Sequence, residues 1–130
     1  MPLYVALEIE PKFNASDLEL ARTLWTPQQS FLEYICAKTR GNLRIAFQKV
    51  EIIRIIDDFS TLDLDSTPAK GMVPNHFGYI VTGAAFWNAN ADTIESGERL
   101  MSHYRFITGN SCVDIISSAT PHYRVLAVAV

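Results

Sequence analysis

Residues 26–41, Thr-Pro-Gln-Gln-Ser-Phe-Leu-Glu-Tyr-Ile-Cys-Ala-Lys-Thr-Arg-Gly, decide the fold class that the sequence predicts. Thr26 followed by Pro27 is typical of a helix N-cap with proline in the first helical position. Gly41, preceded by two basic residues, suits the left-handed position that ends many helices. The apolar residues between these signals have the spacing of one helical face: Phe31, Leu32, Ile35 and Cys36. The sequence therefore predicts a helix here.

Two further segments carry helix signals. Ser16 and Glu19 form a capping box, which predicts a short helix that continues to Trp25. Asp92 precedes Glu95 in the same spacing, and an apolar stripe follows as far as Gly109. We therefore expect a helix before residue 26 and another after residue 91.

The remaining apolar segments alternate as strands do. Residues 3–9 place Leu3, Val5, Leu7 and Ile9 on one face, which we expect to be buried. Residues 43–56 alternate in two phases, and the slip at positions 50–52 predicts a β-bulge or two strands. Residues 77–87 and 112–117 also alternate. The tail from His122 has almost no polar face after Arg124, so we expect it to be central in a covered sheet or covered by another chain.

The predicted fold class is α+β. The order of elements indicates an antiparallel-dominated sheet of about five strands with helices on one face. A ferredoxin-like βαββαβ plan with an extra C-terminal strand is the simplest arrangement of these elements. We expect one domain over residues 1–130, with a long acidic loop at 57–76.

Composition limits the classes of function. The chain has 130 residues, 48% of them apolar, and a net charge of −3, which suits one domain with its own core. Its pI of about 5.5 argues against nucleic acid as a partner, and no apolar run is long enough for a membrane span. The N-terminus lacks the basic start of a secretory signal, which predicts a cytoplasmic protein with Cys36 and Cys112 as reduced thiols.

The acidic loop is the candidate binding site. Its four aspartates fall within nine positions that contain no lysine or arginine, and two apolar residues lie among them. The regular oxygen spacing of a calcium loop is missing, so a solvated acidic loop and a docking surface for a basic protein are the alternatives. The predicted partner-binding residues are Asp57, Asp58, Phe59, Leu62, Asp63 and Asp65.

Catalytic and metal-binding patterns are weak. His76, His103 and His122 are isolated in sequence, and no spacing predicts a metal or another cofactor. Cys112 and Asp114 share a strand face, and His103 or His122 could lie near it and supply a base. A buried structural thiol is the simpler interpretation of Cys112.

The sequence therefore favours a small non-catalytic binding protein, such as an immunity or antitoxin-like inhibitor, that docks on a basic protein partner through its acidic loop. Two alternatives stay open. One is a small isomerase or hydrolase with a His/Cys/Asp site, and the other is a homo-oligomer, such as a homodimer, sealed by the apolar C-terminal strand.

Overall fold

The computed structural model describes residues 2–10, 12–36, 41–56, 70–95 and 100–127. Strands dominate these residues, and the two α-helices have five residues each. The strands are β1 (Leu3–Ala6), β2 (Leu18–Trp25), β3 (Ser30–Cys36), β4 (Gly41–Phe47), β5 (Ile52–Ile56), β6 (Gly78–Thr82), β7 (Ser102–Ile107), β8 (Cys112–Ser117) and β9 (His122–Ala127). The helices are α1 (Ala85–Ala89) and α2 (Ala91–Glu95), and a single 3₁₀ turn covers Ala15–Asp17.

The strands form two antiparallel sheets. One sheet has five strands in the order β1-β6-β7-β8-β5, and the other has four in the order β2-β3-β4-β9. One apolar cluster joins them, because it contains residues from both sheets. Phe47 of the four-stranded sheet lies with its ring centroid 5.3 Å from Tyr104 and 6.3 Å from Phe106 of the five-stranded sheet. The core therefore lies between two facing sheets.

The α+β, ferredoxin-like prediction is wrong, because residues 26–36 form a turn and strand β3 where a helix was expected. Thr26 and Pro27 begin the turn between β2 and β3, where the Thr26 hydroxyl accepts from the Gln29 amide at 2.9 Å and donates to its carbonyl at 2.6 Å. Alternate residues of β3, Leu32, Tyr34 and Cys36, enter the core cluster. Threonine and proline favour a tight turn as well as a helix start, and here the pairing of β3 with β2 and β4 overrides the helix signals.

The other two predicted helices are also largely wrong. Ser16 lies in the single 3₁₀ turn, and the following residues form β2. The helix predicted after residue 91 begins as expected with α2, but residues 102–107 form β7, in the middle of the five-stranded sheet. Pairing of β7 with β6 and β8 overrides the helical spacing of its apolar residues.

The predicted strands are mostly confirmed. The phase slip in residues 43–56 separates β4 from β5, which belong to different sheets. The C-terminal strand is present, but it lies at the edge of its sheet and not at the centre. The faces of β1 are the reverse of the prediction: Tyr4 is buried, whereas Leu3 is 41% and Val5 53% exposed. No helix within the described residues has the length and hydropathy to cross a bilayer.

Candidate functional site

A cluster of charged residues is buried on the face of the five-stranded sheet that is turned away from the four-stranded sheet. Asp114 lies on β8, and the register places Arg105 of β7 opposite it on one side and Arg54 of β5 opposite it on the other. Their strand neighbours Phe106 and Val113 belong to the core between the sheets. Because side chains alternate along a strand, the three charged residues share the outer face.

Four donors from three side chains engage the two oxygens of Asp114. His103 Nε2 lies 2.7 Å and Arg105 Nε 2.6 Å from Oδ1, while Arg54 donates to Oδ2 from Nη2 at 2.6 Å and from Nε at 3.1 Å. Arg105 Nη1 also donates to the Tyr4 hydroxyl at 2.5 Å. This network, the Asp114 cluster, therefore links strands β1, β5, β7 and β8.

Burial and charge act against each other at Asp114. Asp114 and Arg105 are fully buried, and His103 is 1% exposed. Burial raises the pKa of the Asp114 carboxyl, but the hydrogen bond from His103 and the charge of Arg105 outweigh it and hold the pKa at about 2. A carboxylate with this pKa is a poor proton acceptor near neutral pH, so its main effect is to hold its donors in place.

Helix α1 closes part of this face. The ring of Phe86 lies 4.5 Å below the Arg54 guanidinium and 5.4 Å from the ring of His103. Phe86 also packs with Ile94 of α2 and Ile116 of β8. The cluster is therefore covered by an aromatic ring, which limits the access of water and strengthens its ion pairs.

The catalytic combination of Cys112 with a histidine does not form. Cys112 does share the strand face of Asp114, and His103 does contact Asp114, as the sequence suggested. However, Cys112 lies opposite Ile107, and His103 lies opposite Ile116, four residues farther along β8. That offset is about 13 Å along the strand, too far for a nucleophile and its base.

The three histidines lie in different parts of the fold. His76 precedes β6, His103 is on β7 and His122 is on β9 of the other sheet. Within the described residues, no group of three potential ligands from His, Cys, Asp and Glu could hold a metal ion. Cys36 and Cys112 are both buried and are not joined by a disulfide.

A groove of about 710 Å³ lies between the segment that follows β1 and the loop before β6. The Leu7 amide donates to the Gly78 carbonyl at 3.0 Å, and the Ala15 amide donates to the Asn75 carbonyl at 2.8 Å. These bonds hold the two walls together at both ends. The apolar lining includes Phe13, Val73, Pro74 and Phe77.

The loop wall of this groove is fixed from inside. The Tyr79 hydroxyl donates to the Val73 carbonyl at 2.9 Å and accepts from the Val73 amide at 3.2 Å. Asn75 adopts a φ of 62°, a left-handed conformation that asparagine tolerates better than most residues. A second cavity of about 490 Å³ lies on the other side of the same loop and shares Val73 and His76. The loop is therefore a thin wall with a concavity on each side.

The groove carries more negative than positive charge. Glu8 and Glu10 are exposed along one wall, and Lys12 is the basic residue on the same wall. Within the described part of the chain, none of the three forms an ion pair with another residue. The groove wall therefore presents two exposed carboxylates and one exposed ammonium group.

The predicted partner-binding residues cannot be placed. Asp57, Asp58, Phe59, Leu62, Asp63 and Asp65 all lie outside the described residues. The flanking residues are described: Ile56 ends β5 at one edge of the five-stranded sheet, and Lys70 pairs with Leu3 of β1 at the other edge. The loop that forms the groove wall follows Lys70 directly in sequence.

Sequence reasoning missed most of the Asp114 cluster and the whole groove. A signal for the cluster existed, because Arg54, Arg105 and Asp114 each stand alone within an apolar strand segment. Opposite charges in such segments predict partners, since a charge is rarely buried unpaired. The groove has no such signal, because its walls meet only through the pairing of distant segments.

Comparison of the chain with family models, with curated proteins and with solved structures finds no match.

Proposed function

We propose that this chain is a non-catalytic binding protein that docks on a basic protein partner through two acidic elements, the segment 57–65 and the groove. The observation that supports a role for the groove is that Glu8 and Glu10 are exposed on the wall of an apolar-lined concavity of about 710 Å³ and form no ion pair with a described residue.

The chemistry of the groove suits a lysine or arginine side chain. The methylenes of such a side chain would lie along Phe13, Val73 and Pro74, while its charged end would reach Glu8 or Glu10. Clustered carboxylates also raise the association rate of a basic protein by long-range attraction. The aspartates of residues 57–65 would add to that attraction, with Phe59 and Leu62 as apolar contacts.

The Asp114 cluster supports a non-catalytic assignment. Its carboxylate is fully engaged and its pKa is too low for a general base near neutral pH. An inhibitor of a basic enzyme, which acts by covering the enzyme's surface, needs no such base. A cytoplasmic location belongs to the same proposal and agrees with two buried cysteines that are not joined to each other.

Peptide binding tests the proposal. Three short labelled peptides share one pattern of leucine and phenylalanine residues and differ only at the positions between them. Those positions carry lysine and arginine in the basic peptide, glutamine in the second and glutamate in the third. Fluorescence anisotropy should show tighter binding of the basic peptide than of the glutamine peptide, and the affinity of the basic peptide should fall as salt rises. Equal binding of the glutamine peptide would contradict the proposal.

Charge reversal then locates the site. The double variant Glu8→Lys/Glu10→Lys tests the groove, and the fourfold reversal of Asp57, Asp58, Asp63 and Asp65 tests the acidic segment. Each should weaken binding of the basic peptide, by about tenfold for the groove pair. The matched control is Glu19→Lys, an exposed carboxylate on the other sheet, which should bind like the wild type. If neither reversal weakens peptide binding relative to this control, then neither the groove nor the acidic segment is the binding surface.

A further inference from the structure

A row of charged residues crosses the outer face of the four-stranded sheet. The register places Arg22 of β2 opposite Glu33 of β3, Glu33 opposite Arg44 of β4, and Arg44 opposite Arg124 of β9. The strand neighbours of Glu33 and Arg44 belong to the core, so by alternation the charged row faces away from it. We call these four residues the charged row.

The first three members of the row are tightly paired. Arg22 Nε lies 2.9 Å from Glu33 Oε2, and Arg44 Nη2 lies 2.6 Å from Glu33 Oε1. Both guanidinium groups also stack on the ring of Phe31, at 5.2 Å and 4.3 Å from its centroid. The hydrogen bond from Arg44 lowers the pKa of the Glu33 carboxyl, although its burial acts in the opposite direction. One carboxylate thus serves two arginines.

The alternation of charge fails at the last step. Arg124 lies directly opposite Arg44, and like charges at opposite positions of neighbouring strands destabilise a sheet. Arg124 is exposed and forms no ion pair with any described residue. The next position across the sheet, beyond β9, is where a carboxylate would continue the row.

The strand that carries Arg124 is an edge strand. β9 pairs with β4 on one side and has no neighbour among the described strands on the other. Val125, on the opposite face of the strand, is 43% exposed. An exposed edge with apolar side chains offers unpaired amide and carbonyl groups to another extended segment.

We propose that the outer edge of β9 binds an extended acidic segment of another protein by strand addition. In this arrangement an acidic side chain lies opposite Arg124 and completes the charged row. An apolar side chain next to it, on the other face, lies opposite Val125 and covers it. The partner is therefore a segment in which acidic and apolar residues alternate.

A second copy of β9 does not meet these requirements. In a symmetric antiparallel pairing that keeps the outer faces together, Arg124 would lie opposite the second copy's His122, Arg124 or Leu126. None of these residues carries a carboxylate. A nucleic acid would supply negative charge, but it has no peptide backbone to pair with the edge.

The test uses the full chain and short synthetic peptides in which threonine or valine alternates with one variable residue. The variable residue is glutamate, glutamine or lysine. Two further peptides have the glutamate sequence with N-methyl groups, one on the amides of the glutamates and the other on the amides of the residues between them. Anisotropy should show binding of the glutamate peptide and its loss in one of the two methylated peptides, because each methylation pattern blocks one edge of the extended peptide. Binding that survives in both methylated peptides would overturn strand addition.

The variant Arg124→Glu should reverse the preference. Affinity for the glutamate peptide should fall by about fivefold or more, and the lysine peptide should become the better ligand. Arg124→Gln, which keeps the edge and removes only the charge, should bind both peptides alike. Lys49→Glu, an exposed reversal between β4 and β5, is the control and should keep the wild-type preference.

Three results would overturn the proposal. The first is that Arg124→Glu keeps the preference for the glutamate peptide over the lysine peptide. The second is that a single-stranded oligonucleotide binds more tightly than the glutamate peptide. The third is that light scattering gives a doubled mass for the unliganded chain and that Arg124→Glu does not alter this mass. These results concern β9 alone, so they leave the proposed role of Glu8 and Glu10 to its own test.

Discussion

Replacement of Asp114 by asparagine should be among the most damaging conservative changes in the chain. Asparagine keeps the size of the side chain but removes its charge. Arg105, which is fully buried, and Arg54 would then face a neutral amide whose NH₂ group cannot accept their hydrogen bonds. Removing one partner of a buried ion pair costs about 3–5 kcal/mol, and we expect Asp114→Asn to lower the free energy of unfolding by that amount at neutral pH.

The pH dependence gives a second value for the free energy with which the ionised Asp114 stabilises the fold. The pKa of Asp114 is about 2 in the folded protein, against an ordinary value of 3.8. At 1.36 kcal/mol per pKa unit, this difference stabilises the folded state by about 2 kcal/mol. Because the folded pKa is the lower one, the stabilisation is complete above the unfolded pKa and is lost as the pH falls towards 2.

Urea denaturation of the wild type and of Asp114→Asn, between neutral pH and about pH 2, measures both quantities. The gap between the two proteins should narrow by about 2 kcal/mol over the acid range. Asp92→Asn, at an exposed position in α2, should lower stability by less than about 0.5 kcal/mol at every pH. A cost below about 1 kcal/mol for Asp114→Asn, or a gap that is constant with pH, would refute the role given to the cluster.

Two further substitutions test the groove wall and its support. Gly71 has a φ of +93°, and a Cβ there would overlap the Tyr4 carbonyl oxygen. Gly71→Ala should therefore lower the free energy of unfolding by about 2 kcal/mol or more in urea, and an unchanged midpoint would contradict this packing. Tyr79→Phe removes both hydrogen bonds to Val73, so it should cost about 1–2 kcal/mol and speed hydrogen exchange of the Val73 amide. If exchange at Val73 stays as slow as in the wild type, the hydroxyl does not hold the loop.

The sequence predicts the strands better than the helices. The phase slip near Val50 predicts a β-bulge or two strands, and the structure has two strands, β4 and β5, in different sheets. Thr26-Pro27 has two explanations, a helix start and a tight turn, and only the neighbouring strands decide between them. The residues of β3 are apolar or buried on both faces, so their sequence has no clean alternation that would have excluded a helix.

The candidate sites differ in how much of each can be predicted from the sequence. That Asp114 and Cys112 share a face follows from their spacing on a strand. The sequence also suggests that His103 lies near them, but it does not give the contacts. Arg54 comes from a strand 60 residues away, and no local pattern predicts which of several strands becomes its neighbour. The groove and the charged row depend in the same way on the order of strands in each sheet.

The most direct test of the proposed function is to map the binding of the basic peptide by NMR, through the amide signals of the full chain during a titration. We predict chemical-shift changes in the groove walls, residues 7–14 and 73–77, and in the acidic segment 57–65, with the signals of β9 unchanged. Two results would contradict the proposal that the groove and the acidic segment bind a basic partner. One is saturating binding that leaves the amide signals of both elements unchanged, and the other is no binding at low salt.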